Sequence, residues 1–211
     1  MTVTGFGCSF IHGAEHADSH PKKHSRTTWP AVIAQRLGHD YNCLARSGCG
    51  NLSILNNILD ELAKDQTDLY IVNWTWTMRW DYIFAGNDQW HSLNPNHDHP
   101  RAQYYYQNIH ADYADKLHNL IWINTAVQAL TAAGKKFCMT YMDDLLFEDR
   151  WHASPGMLVL QQQIQPHLQQ FDKLNFVDWS KQNNFAIGPG GHPLEAAHEK
   201  AALYLLGHCL V

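Results

Sequence analysis

Two residue types at opposite ends of the 211-residue chain could together do acyl-transfer chemistry, Ser9 and His192. Ser9 lies in Gly5-Phe6-Gly7-Cys8-Ser9-Phe10-Ile11-His12-Gly13, directly behind the β-type run Thr2-Val3-Thr4. Glycines at 5, 7 and 13 permit tight backbone turns that a side chain would block. A serine just past the C-terminal end of a first strand, in a Gly-bounded turn, is where an α/β protein exposes a nucleophile. The same residues also read as a plain strand-to-helix turn. His192 sits in Gly188-Pro189-Gly190-Gly191-His192-Pro193, ahead of a last helix in whose first turn Pro193 is expected. A serine needs a general base within hydrogen-bond reach, and neutral imidazole suits that role near pH 7. Cys8 is a second candidate nucleophile, but a reactive thiolate needs an electropositive neighbour that the sequence does not identify.

Histidine is abundant, with fifteen in the chain; His12, His16, His20 and His24 recur every four residues, and His97-Asp98-His99 forms a second cluster. Four-residue spacing on a helix would stack imidazoles on one face, as a metal site requires. Pro21 and the Ser, Asp and Lys residues around it break such a helix, so residues 14–27 read as a mobile polar loop. Neither a metal nor a cofactor is expected.

The elements that must position Ser9 and His192 follow in alternation. Thr28 can cap a helix with Pro30 in its first turn, Gly38 at its end, and Trp29, Ile33 and Leu37 toward the core. A short strand, Tyr41-Asn42-Cys43-Leu44-Ala45, runs into a second Gly-rich loop, and a helix carries Leu52, Leu55, Leu59 and Leu62 at helical spacing. Residues 68–74 are a buried strand. A long helix is expected over residues 111–133, with Tyr113, Leu117, Leu120, Ile121, Val127 and Leu130 inward and Gly134 as its stop. Then come a strand over 136–141, ending at Asp143-Asp144, a helix opened by Ser154-Pro155 and ended or kinked by Pro166, and a last strand at Asn175-Phe176-Val177-Asp178. The final helix carries Leu194, Ala197, Ala201 and Leu205. Repeated strand–loop–helix units imply a parallel sheet covered on both faces, with the ligand site beyond the C-terminal strand ends. Ser9, Gly48 and the 74–79 segment then converge on one edge. Residues 80–108, polar, aromatic and weakly periodic, read as an insertion or lid within a single domain spanning 1–211. Within it, Tyr104-Tyr105-Tyr106 is expected to pack the lid down.

Net charge −5 argues against a nucleic-acid partner. No apolar run is long enough to cross a bilayer and no leader is read, so the fold is expected to begin at residue 1. Five cysteines without CxxC spacing read as reduced residues of a reducing compartment.

Three blocks together resemble the SGNH/GDSL hydrolase superfamily, especially its phage and bacterial members with a Gly-Cys-Ser-Phe opening: Gly7-Cys8-Ser9-Phe10, Leu44-Ala45-Arg46-Ser47-Gly48-Cys49-Gly50-Asn51, and His192-Pro193 followed by His198. The resemblance spans the chain. It implies a three-layer α/β/α sandwich with a flavodoxin-like parallel sheet, Ser9 as nucleophile, His192 as base, and an oxyanion site from the N–H groups of Ser9 and Gly48. It also implies an esterase for short acyl (acetyl-type) esters of small molecules or glycans. Two departures stand out. The family's Gly-x-Asn-Asp block is here Asn73-Trp74-Thr75-Trp76-Thr77-Met78-Arg79. Thr75 is therefore expected near the oxyanion, with Asn51, Asn73 and Arg79 in substrate binding. The Asp that precedes the family's histidine by two or three residues is missing, the positions being Gly190 and Pro189. A Ser–His dyad oriented by a backbone carbonyl, or an acid from elsewhere (Asp143 or Asp178), are the alternatives. The runner-up reading is an inactive binding or structural module, virion-associated if of phage origin; otherwise the location expected is cytoplasmic.

Overall fold

The computed structural model describes residues 1–86, 88–148 and 154–208. Five parallel strands form the sheet: β1 (Thr2–Phe6), β2 (Asp40–Cys43), β3 (Leu69–Trp74), β6 (Lys136–Tyr141) and β7 (Leu168–Gln169), in the order β2-β1-β3-β6-β7. Every pairing is parallel, with Gly5 opposite Cys43 and Ile71, and Ile71 opposite Cys138. This is the flavodoxin-like order, whose switch point lies at β1. All six residues of β3 are buried, as a central strand covered on both faces requires.

On one face α2 (Trp29–Leu37) packs against β1, β2 and α8 (Glu195–His208); on the other, α3 (Asn51–Lys64), α5 (Asp112–Ala132) and α6 (Pro155–Ile164) pack in succession. The three-layer sandwich is as expected. Phe6 stacks on Tyr70 with ring planes 3° apart inside one continuous core that includes Trp29, Ile33, Ile58, Leu120 and Leu205. Each such side chain contributes about 1.5–3 kcal/mol when removed from water.

The helical phase departs from expectation at several positions. Leu37, Leu59, Tyr113 and Ile121 are 38–42% exposed, and α3 faces the core with Ile54, Leu55 and Ile58. Leucine spacing fixes a face only where a polar stripe contrasts with it, and α5 has apolar residues nearly all round. The expected strand at Asn175-Phe176-Val177-Asp178 is the start of α7 (Phe176–Gln182). The Asn175 side chain accepts from the Asp178 N–H at 2.9 Å, a helix cap. The last strand is β7, two residues long and too short to show a pattern.

Residues 80–108 hold a two-stranded antiparallel ribbon, β4 (Trp80–Ile83) and β5 (Trp90–Leu93), and a helix, α4 (Pro100–Asn108). Tyr105 and Leu93 pack with Ala102 in a small core of their own, while Tyr104 is exposed. His99 of the second histidine cluster caps α4, its Nδ1 accepting from the Arg101 N–H at 3.1 Å. Among the described residues no helix is long and apolar enough to cross a membrane.

Candidate active site

Ser9 opens the one-turn helix α1 (Ser9–His12) immediately beyond β1. A Cβ at Gly7 would come within 2.6 Å of Ile11 Cγ1, so only glycine lets the chain turn this tightly. As a first helical residue Ser9 has an N–H without an intrahelical acceptor. Ser9 is buried, with 7% of the residue exposed. The hydroxyl meets Cys8 Sγ at 3.9 Å and forms no hydrogen bond with His192. Cys8 itself is fully buried, which leaves its thiol no approach as a nucleophile.

His192 is presented by a loop closed on itself, Gly188 N–H donating to His192 O at 2.8 Å and Leu194 N–H to Ala186 O at 3.0 Å. Pro193 pairs with Ile187 in an isolated bridge, and α8 begins only at Glu195, so the proline precedes the first turn rather than entering it. The imidazole packs at 5.1 Å on the ring of Phe10, the residue after Ser9. The stack continues through Trp76, 5.5 Å from Phe10, to the Arg79 guanidinium 4.9 Å over Trp76. Arg79 Nη1 also donates to Cys49 O at 3.1 Å, which ties this wall to the second Gly-rich loop.

The carboxylate that reaches His192 is that of Glu15. Its Oε2 lies 2.6 Å from His192 Nδ1, and its Oε1 accepts from Gly190 N–H at 2.8 Å. The Gly190 N–H above all, and to a lesser degree His192, hold the Glu15 carboxyl below its ordinary pKa, with desolvation opposing them. Asp143 instead accepts from Thr77 N–H and hydroxyl at 2.9 and 2.7 Å, and Asp178 from the Asn175 amide at 2.8 Å; neither reaches the histidine. Among the described residues no backbone carbonyl takes the place of an acid at Nδ1. The Glu15 segment is anchored rather than loose: Ala17 N–H donates to Glu195 Oε1 at 2.9 Å, and His16 Nδ1 lies 2.7 Å from Thr27 Oγ1. His16 is edge-on to His198 at 4.5 Å, and His198 Nδ1 accepts from Trp29 N–H at 3.0 Å. Burial pushes the pKa of His198 well down and that of His16 down.

Gly48 adopts φ +76°, a left-handed turn with open space around it. The loop is fixed by Asp81 of β4, whose Oδ1 accepts from Gly50 N–H and Oδ2 from Ser53 N–H, both at 2.8 Å. Ser92 of β5 donates its hydroxyl to the same carboxylate. Burial raises the Asp81 pKa against these bonds. Asn51 is fully buried: Nδ2 donates to Thr75 O at 3.0 Å and Asn119 Oδ1 at 2.6 Å, and Oδ1 accepts from Thr75 N–H at 2.8 Å. Asn73 is likewise buried, donating to Thr140 Oγ1 at 2.8 Å. Both asparagines brace the walls; the Asn51 amide is engaged at both ends, whereas Asn73 Oδ1 is buried without a partner. Thr75 is fully buried and its hydroxyl has no partner. Ser9, His192, Gly48 and Arg79 thus meet at one sheet edge, whereas Asn51 and Asn73 lie beneath it.

Glu15, Asp81 and Asn119 escaped the sequence reading. A Gly-Pro-Gly-Gly-His stretch without an acid signals a partner from elsewhere, but not which one. Polar residues inside apolar patterns, Asp81 within Trp80–Ile83 and Asn119 within α5, are the available signal for the other two.

A cleft of about 510 Å³ lies between the Glu15 segment and Ala45, Arg46 and Ser47. Arg46 also lines a second cleft of about 720 Å³ with Tyr82, Phe84, Trp90, His91 and Arg101. Among the described residues no group of three or more His, Cys, Asp or Glu side chains is placed to hold a metal ion.

The fold has counterparts among solved structures. TesA matches over 100% of this chain and 98% of its own, at TM-score 0.55 and 14% identity. The psychrotrophic esterase EstA from Pseudoalteromonas sp., inhibited by monoethylphosphonate, matches over 99% and 96%, at TM-score 0.52 and 10% identity. The chain has the SGNH-hydrolase fold. A carbohydrate esterase described as showing divergent catalytic and non-catalytic binding functions matches over 99% of this chain and 67% of its own, at TM-score 0.51 and 15% identity. No family model matches the sequence, and no curated protein does. The likeness is therefore one of fold, carried at identities that leave the side chains to be argued from their own geometry.

Proposed function

We propose that this chain is a serine ester hydrolase acting on short acyl esters, of acetyl type, carried by a glycan. The observation that carries the reading is the tethering of His192 Nδ1 to a carboxylate beside Phe10, which leaves Nε2 as the ring nitrogen free to serve Ser9. Ser9 Oγ attacks the acyl carbonyl as its proton passes to Nε2. The tetrahedral oxyanion is held by the N–H groups of Ser9 and Gly48, with the orphaned Thr75 hydroxyl as a third donor. Donors of this kind contribute about 2.7–4 kcal/mol each in comparable sites. The imidazolium then gives its proton to the leaving alcohol. Water, deprotonated by the same nitrogen, releases the acid from the acyl-enzyme and restores Ser9.

The narrow exposure of Ser9 favours a small acyl group. The aromatic and cationic residues of the 720 Å³ cleft, joined to the site through Arg46, suit a sugar better than an alkyl chain. The ribbon and α4 then act as a substrate-side lid on one domain. Cys8, Cys43, Cys49 and Cys138 are all free, which supports a reducing compartment. Cys209 lies outside the described residues.

One observation favours the second reading, a module that binds without turnover: the Ser9 hydroxyl faces Cys8 Sγ rather than His192. Labelling with a fluorophosphonate separates the two. Covalent capture that requires both Ser9 and His192 supports the hydrolase, and a screen of acetylated oligosaccharides against long-chain esters then tests the substrate class. A folded protein that resists labelling leaves the binding module.

A further inference from the structure

We propose that Glu15 is the residue that positions His192, delivering from the first loop the carboxylate that similar chains carry just ahead of the histidine, and that Gly188 and Gly190 are glycine because this carboxylate lies against them. The inference rests on the hydrolase reading and names the support of its base.

One carboxylate grips both the ring and its loop. Oε2 reaches His192 Nδ1 at 2.6 Å and His192 N–H at 3.3 Å, while Oε1 takes the Gly190 N–H at 2.8 Å. A carboxylate at Nδ1 keeps the proton on that nitrogen and leaves Nε2 as acceptor, the tautomer a serine needs.

The glycines give an independent sign. A Cβ on Gly190 would stand 2.9 Å from Glu15 Oε2, and one on Gly188 2.8 Å from Glu15 Cδ and Oε2. Neither glycine is among those with positive φ, so the backbone itself does not demand glycine there. Gly191, between Gly190 and the histidine, is the contrast: φ +85°, with open space where its Cβ would be. At two of the three positions a side chain would have to push the Glu15 carboxylate off the bonds that hold it, while the third is glycine by its own conformation. The Gly190 Cβ position is also 3.3 Å from His192 Nδ1, so an acid at 190 would compete for the atom that Glu15 holds. Only one of the two positions can carry it.

Glu15 adopts this role at φ +69°, a left-handed conformation unfavourable for a residue with a side chain. Such strain persists where the surroundings over-determine it. The anchors of the next residues, His16 on Thr27 and Ala17 on Glu195, supply that determination. Nucleophile and positioning acid thus sit on one short segment, Ser9 to Glu15, and the histidine is drawn onto it from the far end of the chain.

The test compares wild type with Glu15→Gln, Glu15→Ala and the double variant Glu15→Ala/Gly190→Asp. The readouts are the fluorophosphonate labelling rate, kcat and KM on p-nitrophenyl acetate across pH, and the downfield Nδ1 proton of His192 by NMR. Glu15→Gln should slow labelling roughly a hundredfold or more, short of the ~10⁴ known for a fully buried triad acid, because the Glu15 side chain is 24% exposed. The loss should fall on kcat rather than KM, with the Nδ1 proton signal gone. The double variant should regain at least about tenfold over Glu15→Ala and recover the signal, an outcome that a merely structural clamp would not produce. Equal labelling rates and pH profiles in wild type and Glu15→Gln overturn the role of Glu15 while the hydrolase reading stands. A slow Glu15→Gln without recovery in the double variant overturns the positional equivalence. A wild type that never labels overturns the hydrolase reading, and the NMR signal alone then decides whether Glu15 holds the ring.

Discussion

The two sides of the Ser9 site, a Glu15–His192 wall and a Gly48–Arg79 wall, are built on different plans. On the Glu15–His192 wall a short charged bond sits near the surface, with side chains 24% and 18% exposed, on a strained backbone. On the Gly48–Arg79 wall the work is done below the surface by Asp81, Asn51 and Asn119. Their polar atoms go to backbone groups of residues 50, 53, 75 and 77 and to one another. Partly solvated ion pairs add little to stability, whereas a buried donor stripped of its acceptor costs its full desolvation. On the proposed reading the first wall controls chemistry, and it has little stake in folding. The second fixes backbone N–H groups in space and has a large stake in folding.

The sharpest way to break this contrast is Ser9→Ala. It should abolish labelling and lower turnover by on the order of 10⁴-fold or more, while the denaturation midpoint stays in place, since the hydroxyl has only the weak Cys8 contact. Asp81→Ala should do the reverse. Leaving the Gly50 and Ser53 N–H groups without their acceptor should cost roughly 2–5 kcal/mol in urea unfolding, with Asp81→Asn milder because it keeps one acceptor.

Thr75→Val crosses the two plans. Removing a buried hydroxyl without a partner should raise stability by about 1 kcal/mol. If the hydroxyl serves the oxyanion, turnover falls roughly a hundredfold; a stabilised variant with unchanged kcat would take Thr75 out of the oxyanion site. The smallest effect is a pH slope. The folded pKa of His198 and His16 is depressed by burial, more strongly for His198, so their stabilising share is complete above the unfolded value of 6.5 and is lost as pH falls below it. Glu195 and Asp18 oppose this at His16 by favouring its charged form. His198→Gln, which keeps an acceptor for the Trp29 N–H, should flatten melting temperature against pH between 7 and 5. An unchanged slope would remove His198 as the cause.

The sheet was legible where burial leaves a continuous apolar run. β3 and β6 fall at or within a residue of the stretches read from sequence, because a strand covered on both faces has no polar alternation to confuse it. The existence of α2, α3, α5, α6 and α8 was legible too, though α4 and α7 were not, and depth was not. Leu37, Leu59, Tyr113 and Ile121 satisfy the helical period and still face water, since a period specifies which residues share a face and not which face the core takes. Asn175 was misread because a helix cap and the end of a strand use the same extended backbone.

Ser9 and His192 could be named as candidates from local sequence, a serine after a glycine turn and a histidine in a Gly-rich loop, and Gly48 through the family resemblance. The partner of His192 could not. Glu15 is 177 residues from it in sequence, and nothing local distinguishes it from the other acids of a polar loop. An imidazole asks only that some carboxylate reach Nδ1, a condition on distance. Distance between the first and last loops is decided when the parallel sheet, through β1 and the packing of α2 on α8, brings both to one edge.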